Sequence, residues 1–172
     1  MLDHGYAVLY LTDDVDEFVM KMLRSYQDKE FRSVSSGDLG FEADKETEKE
    51  PTDEEKTLLD RLGKALEGKC KEVRLSARLK SHPVCLVSDG ELSIEMEKVL
   101  GSMPNAQPVQ AERVLELNPS HPVYQALLRV TDEAQLADYA ALLYDQALLI
   151  EGLPVEDPVA FSDRLCALMA RA

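Results

Sequence analysis

Leu136-Ala137-Asp138-Tyr139-Ala140-Ala141-Leu142-Leu143-Tyr144-Asp145-Gln146-Ala147-Leu148-Leu149-Ile150 is helical in composition and apolar around nearly its whole circumference. A surface helix needs only one apolar stripe, so a helix apolar on all sides must be covered on all sides. Gly152 and Pro154 break it, and a second helix follows with Phe161, Leu165, Leu168 and Met169 on one stripe. Few later residues remain to cover this pair. The simplest cover is the same pair from a second copy of the chain, so self-association is the first functional expectation.

The remaining composition narrows the partners. Of the 172 residues, 45% are hydrophobic and 30% charged, values of a chain that mostly folds. Thirty-three acidic side chains against 19 basic ones leave a net charge of −14. Such a surface repels phosphate backbones and anionic lipid, so neither nucleic acid nor a membrane is an expected partner. No apolar run reaches the roughly 20 residues of a membrane span, and the first residues lack the pattern of a signal peptide. Cys70, Cys85 and Cys166 are odd in number and widely spaced. They are expected to be reduced and mostly buried, in a cytoplasmic protein without a disulfide framework or metal site.

Upstream of the helix pair, the pattern alternates between strand and helix. Tyr6-Ala7-Val8-Leu9-Tyr10-Leu11 reads as a buried strand. Asp13 or Asp14 is placed to cap a helix with Val15, Phe18, Val19, Met22 and Leu23 on one face. Phe31-Arg32-Ser33-Val34 would close a small β-α-β unit, one that looks like a piece of something longer. Residues 35–51 are acidic and without apolar period, as a solvated linker would be. Thr52-Asp53-Glu54-Glu55 has the pattern of a capping box, opening a helix with Leu58, Leu59, Leu62, Ala65 and Leu66 on one side. Strands are expected at 71–75, 84–87 and 114–117, with Ser81-His82-Pro83 turning between the first two. A helix is expected from Ser88-Asp89 to Met103, another from Asn118-Pro119, and two more capped by Asp132 and Asp157.

Chemistry is sparse. Asp13 and Asp14 at a strand end could hold a hard cation or accept a phosphoryl group, making a small metal-binding or receiver-like α/β domain. That arrangement needs further parallel strands that the chain does not supply, and helix capping fits the pair better. No phosphate-cradling glycine loop and no nucleophile elbow occurs. No catalytic constellation is expected. Leu92, Met96, Val99, Leu100 and Met103 form a helical stripe that reads either as core packing or as a flexible methionine surface for varied partners.

Four stretches carry a resemblance. Gly5-Tyr6-Ala7-Val8-Leu9-Tyr10-Leu11-Thr12-Asp13 with Val15-Asp16-Glu17-Phe18 is the first, and Lys71-Glu72-Val73-Arg74-Leu75-Ser76-Ala77-Arg78-Leu79 the second. Leu115-Glu116-Leu117-Asn118-Pro119-Ser120-His121-Pro122 and Leu143-Tyr144-Asp145-Gln146-Ala147-Leu148-Leu149 with Glu151-Gly152 complete the set. In order and spacing they resemble the C-terminal portion of the ninety-kilodalton heat-shock chaperone family in its bacterial form, high-temperature protein G.

The resemblance implies an α+β chain with three parts: 1–34 as the end of a middle domain, 35–51 as linker, and 52–172 as a dimerisation domain. Its last two helices, 132–150 and 157–170, would form an intermolecular four-helix bundle. Leu142, Leu143, Ala147, Leu148, Ile150, Phe161, Leu165, Leu168 and Met169 would carry the homodimer. Leu92, Met96, Val99, Leu100 and Met103 would touch unfolded or partly folded client proteins. The family's ATPase lies in other sequence, so no catalysis and no cofactor are expected of this chain, with ATP and magnesium acting in the parent. The chain also lacks the acidic terminal pentapeptide by which eukaryotic members dock helical-repeat co-chaperones, which argues against such partners.

Overall fold

Thr52 opens the best-packed part of the molecule. Its hydroxyl accepts from the Glu55 backbone N–H at 3.3 Å, while the Glu55 carboxylate accepts from the Thr52 N–H at 2.8 Å. This reciprocal cap is the one the sequence predicts. In the computed structural model, which describes residues 7–34, 51–104 and 109–170, it starts helix α2 (Asp53–Ala65). Leu58, Leu62 and Leu66 line one side of it and are buried. Each such leucine contributes roughly 2 kcal/mol through burial. Gly68, at φ +81°, turns the chain towards the sheet.

Strands β3 (Glu72–Leu75), β4 (Val84–Ser88) and β5 (Arg113–Leu117) form a mixed sheet in the order β3-β5-β4. β5 is parallel to β3, with Val73 opposite Leu115, and antiparallel to β4, with Leu86 opposite Leu115. The expected turn from β3 into β4 is therefore not a hairpin: β5 lies between them. Every residue of β5 is buried, as a central strand requires. One sheet face carries Val73, Leu115, Leu117, Val84 and Leu86 into the core beneath α2 and helix α5 (Glu133–Ile150).

Helix α3 (Ile94–Ser102) begins later than its expected start at 89. Gly90, at φ +124°, breaks the chain after β4, and the Ser93 hydroxyl takes the cap by accepting from the Met96 N–H at 3.1 Å. A similar shift occurs at α4 (Pro122–Leu128), where His121 caps through Nδ1 at 3.2 Å from the Val123 N–H. Asn118, expected as that cap, is instead buried. It donates to the carbonyls of Lys80 and His82 and accepts from Ser120 N–H. Asp132 and Asp157 cap α5 and α6 (Pro158–Met169) as expected.

The N-terminal segment departs furthest from expectation. Residues 7–12 form no ladder, and Leu9 and Tyr10 are 61% and 78% exposed. A strand needs a neighbour to take its backbone groups, and none of the described residues supplies one. Helix α1 (Asp16–Leu23) is not capped by Asp13 or Asp14. Asp16 itself reaches back to accept from the Thr12 and Asp13 N–H groups at 2.9 and 3.1 Å, which holds its carboxyl below the usual range. Val15, Val19, Met22 and Leu23 are exposed. In place of the expected strand at 31–34, β1 (Ser25–Tyr26) and β2 (Lys29–Glu30) pair as a short hairpin across Gln27 and Asp28, both at positive φ. The β-α-β unit is thus a helix and a hairpin. α1 lies against α3, with Ser93 donating to Glu17 at 2.7 Å and Lys21 donating to the Glu91 carbonyl.

The architecture is a mixed α and β fold of six helices and two small sheets among the described residues. Of the expected linker, residues 35–50 lie outside them. Cys70 and Cys85 are half-buried and Cys166 is exposed, so the thiols are less buried than expected, though all are free.

Candidate self-association surface

α5 resolves its all-round apolarity into two stripes. Leu136, Ala140, Leu143, Tyr144, Ala147 and Leu148 recur at helical spacing and are buried in the chain's own core. Tyr144 is fixed there by polar contacts. Its hydroxyl donates to the Lys69 carbonyl and accepts from Arg113 Nη1, both at 3.0 Å. Tyr139, Leu142, Gln146, Leu149 and Ile150 make the second stripe. Leu149 and Ile150 are 52% and 45% exposed.

α6 lies along α5 but buries none of its own residues. An isolated helix of this length is marginal in water, so packing must hold it. Leu165, Leu168 and Met169 nevertheless remain exposed. Between α4, α5 and α6 runs a groove of about 410 Å³, lined by Val123, Ala126, Leu127, Tyr139, Leu142, Leu143, Gln146, Phe161, Leu165 and Leu168. Among the described residues no charged side chain lines it. Between α5 and α6, Arg164 stands 3.7 Å from Asp138 and 3.9 Å from the buried Asp145. Burial pushes the Asp145 carboxyl up, while Lys69 and Arg164 pull it back.

The expected dimer residues therefore fall into two groups. Ala147 and Leu148 face the core, and Leu143 and Leu142 are buried while also reaching the groove. Ile150, Phe161, Leu165, Leu168 and Met169 lie on the open side. The α4 wall, Val123, Ala126 and Leu127, was not anticipated. Its signal was available in the apolar spacing after Pro122, but nothing in the sequence says that this short helix stands beside α5.

The expected client stripe is half-buried. Leu92 packs against the core, Met96, Val99 and Leu100 are intermediate, and Met103 is 50% exposed. Ile94, not part of that stripe, is the residue α3 buries. Glu97 ties the helix down by accepting from Ala111 N–H at 2.9 Å and from Arg113 Nη2 at 2.5 Å. A wider hollow of about 820 Å³ lies between residues 9–34 and 88–95, with mixed polar and apolar walls.

On the other sheet face, Glu116 is 4% exposed and is gripped by Arg74 Nη2 at 2.8 Å, Ser76 Oγ at 2.9 Å and Arg78 Nε at 3.0 Å. Burial works to raise its carboxyl, but Arg78, Arg74 and Ser76 together hold it below the usual carboxylate value. Burial and the Glu116 charge push the neighbouring Cys85 thiol up to about 12, so it is not a nucleophile at neutral pH. Asp13 and Asp14 are exposed. Among the described residues no cluster of His, Cys, Asp or Glu could hold a metal ion.

Residues 1–172 match the model of the family described as Hsp90 protein. The chain belongs to the Hsp90 family. Among curated relatives, it is 59% identical over 171 residues to the chaperone protein HtpG of Halalkalibacterium halodurans, covering 98% of this chain. It is 56% identical over 169 residues to the HtpG of Clostridium acetobutylicum and 55% identical over 172 residues to that of Bacillus subtilis, each covering 97% of this chain. It spans 27% of the length of each of these relatives. As an Hsp90-family chain it is a member of a chaperone family.

Proposed function

We propose that this chain is the homodimerisation and client-contact part of an ATP-dependent chaperone that acts on unfolded or partly folded proteins. The observation that carries the reading is α6, a helix with no buried residue of its own, beside an apolar, uncharged groove. Two copies of these helices packed as a four-helix bundle would cover both. An obligate interface of this kind buries about 2,000 Å² or more. Sedimentation of the chain at micromolar concentration should show a dimer, and a monomer would refute the reading. Residues 1–34 then form the end of a preceding domain and 52–172 the dimerisation domain. ATP and magnesium act in the remaining length of the parent, in the cytoplasm. No helix among the described residues is long and apolar enough to cross a membrane.

For client contact the proposal rests on α3, whose Met96, Val99, Leu100 and Met103 keep part of their surface accessible while Ile94 anchors the helix. Met96→Ser with Leu100→Ser should leave the dimer intact and weaken capture of an unfolded protein several-fold. Each substitution removes roughly 1–2 kcal/mol of apolar contact. Binding to a reduced, denatured protein, measured alongside sedimentation, checks this; unchanged capture would return the stripe to core packing.

A further inference from the structure

Arg113, the first residue of β5, is a buried cation shared between two helices. Its Nη2 donates to Glu97 of α3 at 2.5 Å, and its Nη1 donates to the Tyr144 hydroxyl of α5 at 3.0 Å. Nε is buried as well, and among the described residues it has no hydrogen-bond partner. Tyr144 completes the path by donating to the Lys69 carbonyl at 3.0 Å. Burial raises the Tyr144 hydroxyl above its ordinary value of 10.0, so it stays a donor at neutral pH. At the other end of the path, α3 buries only Ile94. An element with so few buried contacts opens more readily than the core around it, so the two bonds to Glu97, from Arg113 and from Ala111 N–H, matter to its hold.

We propose that Arg113 is a latch on α3, kept closed from α5 by the Tyr144 hydroxyl. The inference deepens the client reading above, which rests on α3, by naming what sets the exposure of that helix. A buried guanidinium is unfavourable unless its donors are met, and this one is already a partner short at Nε. Withdrawing the Tyr144 oxygen leaves Nη1 unmet too, and the group then gains more from water than from Glu97 alone. Its remaining 8% exposure marks the side on which it reaches water. Glu97 then loses its cation, and α3 loses the charged tie that joins it to β5. The dependence runs both ways: lifting α3 withdraws Glu97 and loosens the hold of Arg113 on Tyr144. Effects within such a shared network do not add, and that gives the test its form.

Amide hydrogen exchange on the full chain, with circular dichroism to follow the fold, reads the latch. Tyr144→Phe removes one oxygen and keeps the ring in the core. It should speed exchange of the α3 amides about ten-fold, the effect of losing one hydrogen bond to a charged group, while the amides of α2 exchange as in the parent. Glu97→Ala should speed α3 by a similar factor, and adding Tyr144→Phe to it should bring no further increase. The latch is overturned if Tyr144→Phe leaves α3 exchange unchanged, if it speeds α2 equally, or if the two substitutions multiply. Met96→Ser with Leu100→Ser tests the client reading without touching Arg113, Glu97 or Tyr144. Unchanged capture there would sink that reading and leave the exchange result to decide the latch.

Discussion

Glu116→Ala should destabilise the fold by about 3 kcal/mol and lower the melting midpoint by on the order of 10 °C. Removing one partner of a buried ionic cluster leaves the others desolvated and unpaired, and that loss commonly costs about 3–5 kcal/mol. The lower end applies here because Arg74 and Arg78 keep 33% and 22% of their side-chain surface in water. Glu116→Gln should cost less, since the amide retains the shape and one acceptor oxygen. The acid limb distinguishes charge from packing. The folded carboxyl titrates below its ordinary value of 4.5, so its stabilisation is fully present above that value. It is lost as pH falls through the folded value. The gap in stability between the parent and Glu116→Gln should therefore close on acidification below about 4.5. Thermal unfolding across that range measures it; a gap independent of pH would show that the arginine contacts contribute no net stability.

That cluster also shows what a sequence withholds. Leu115-Glu116-Leu117 reads as a strand from its flanking leucines, and it is one. Alternation alone would send Glu116 to water, yet it is buried. Its partners Arg74 and Arg78 lie about forty positions earlier and meet it only because β3 pairs in parallel with β5. Local signals were legible where the deciding contact is local. The Thr52–Glu55 box, the Asp132 and Asp157 caps and the three sheet strands all fall within a few residues of their expected places. Where a cap had rivals nearby, the choice went by geometry that spacing does not encode, as at Ser93 over Asp89 and His121 over Asn118. The expected strand at 6–11 had the right composition but no neighbour among the described residues. Composition specifies a strand's willingness to pair, not its partner.

Leu165→Asp should abolish the proposed dimer while leaving each monomer folded, and Leu143→Asp should not behave the same way. Both residues read alike in the sequence, as apolar positions of a terminal helix pair. In the structure Leu165 is 39% exposed on a helix that buries nothing, whereas Leu143 is 7% exposed and belongs to the core cluster. Truncating a central interface residue typically costs roughly 2–4 kcal/mol, and a charge in its place no less. A two-fold interface carries the substitution twice, so the dimer should weaken about a thousand-fold or more. The monomer loses little, because the aspartate of Leu165→Asp remains in water once the partner leaves. Leu143→Asp instead places a carboxylate in the core cluster that holds Ala140, Tyr144 and Ala147, where loss of hydration disfavours the charge, and should unfold the chain. Sedimentation with far-ultraviolet circular dichroism separates the two outcomes: a folded monomer for Leu165→Asp and loss of helix signal for Leu143→Asp. A folded dimer from Leu165→Asp would move the interface away from α6.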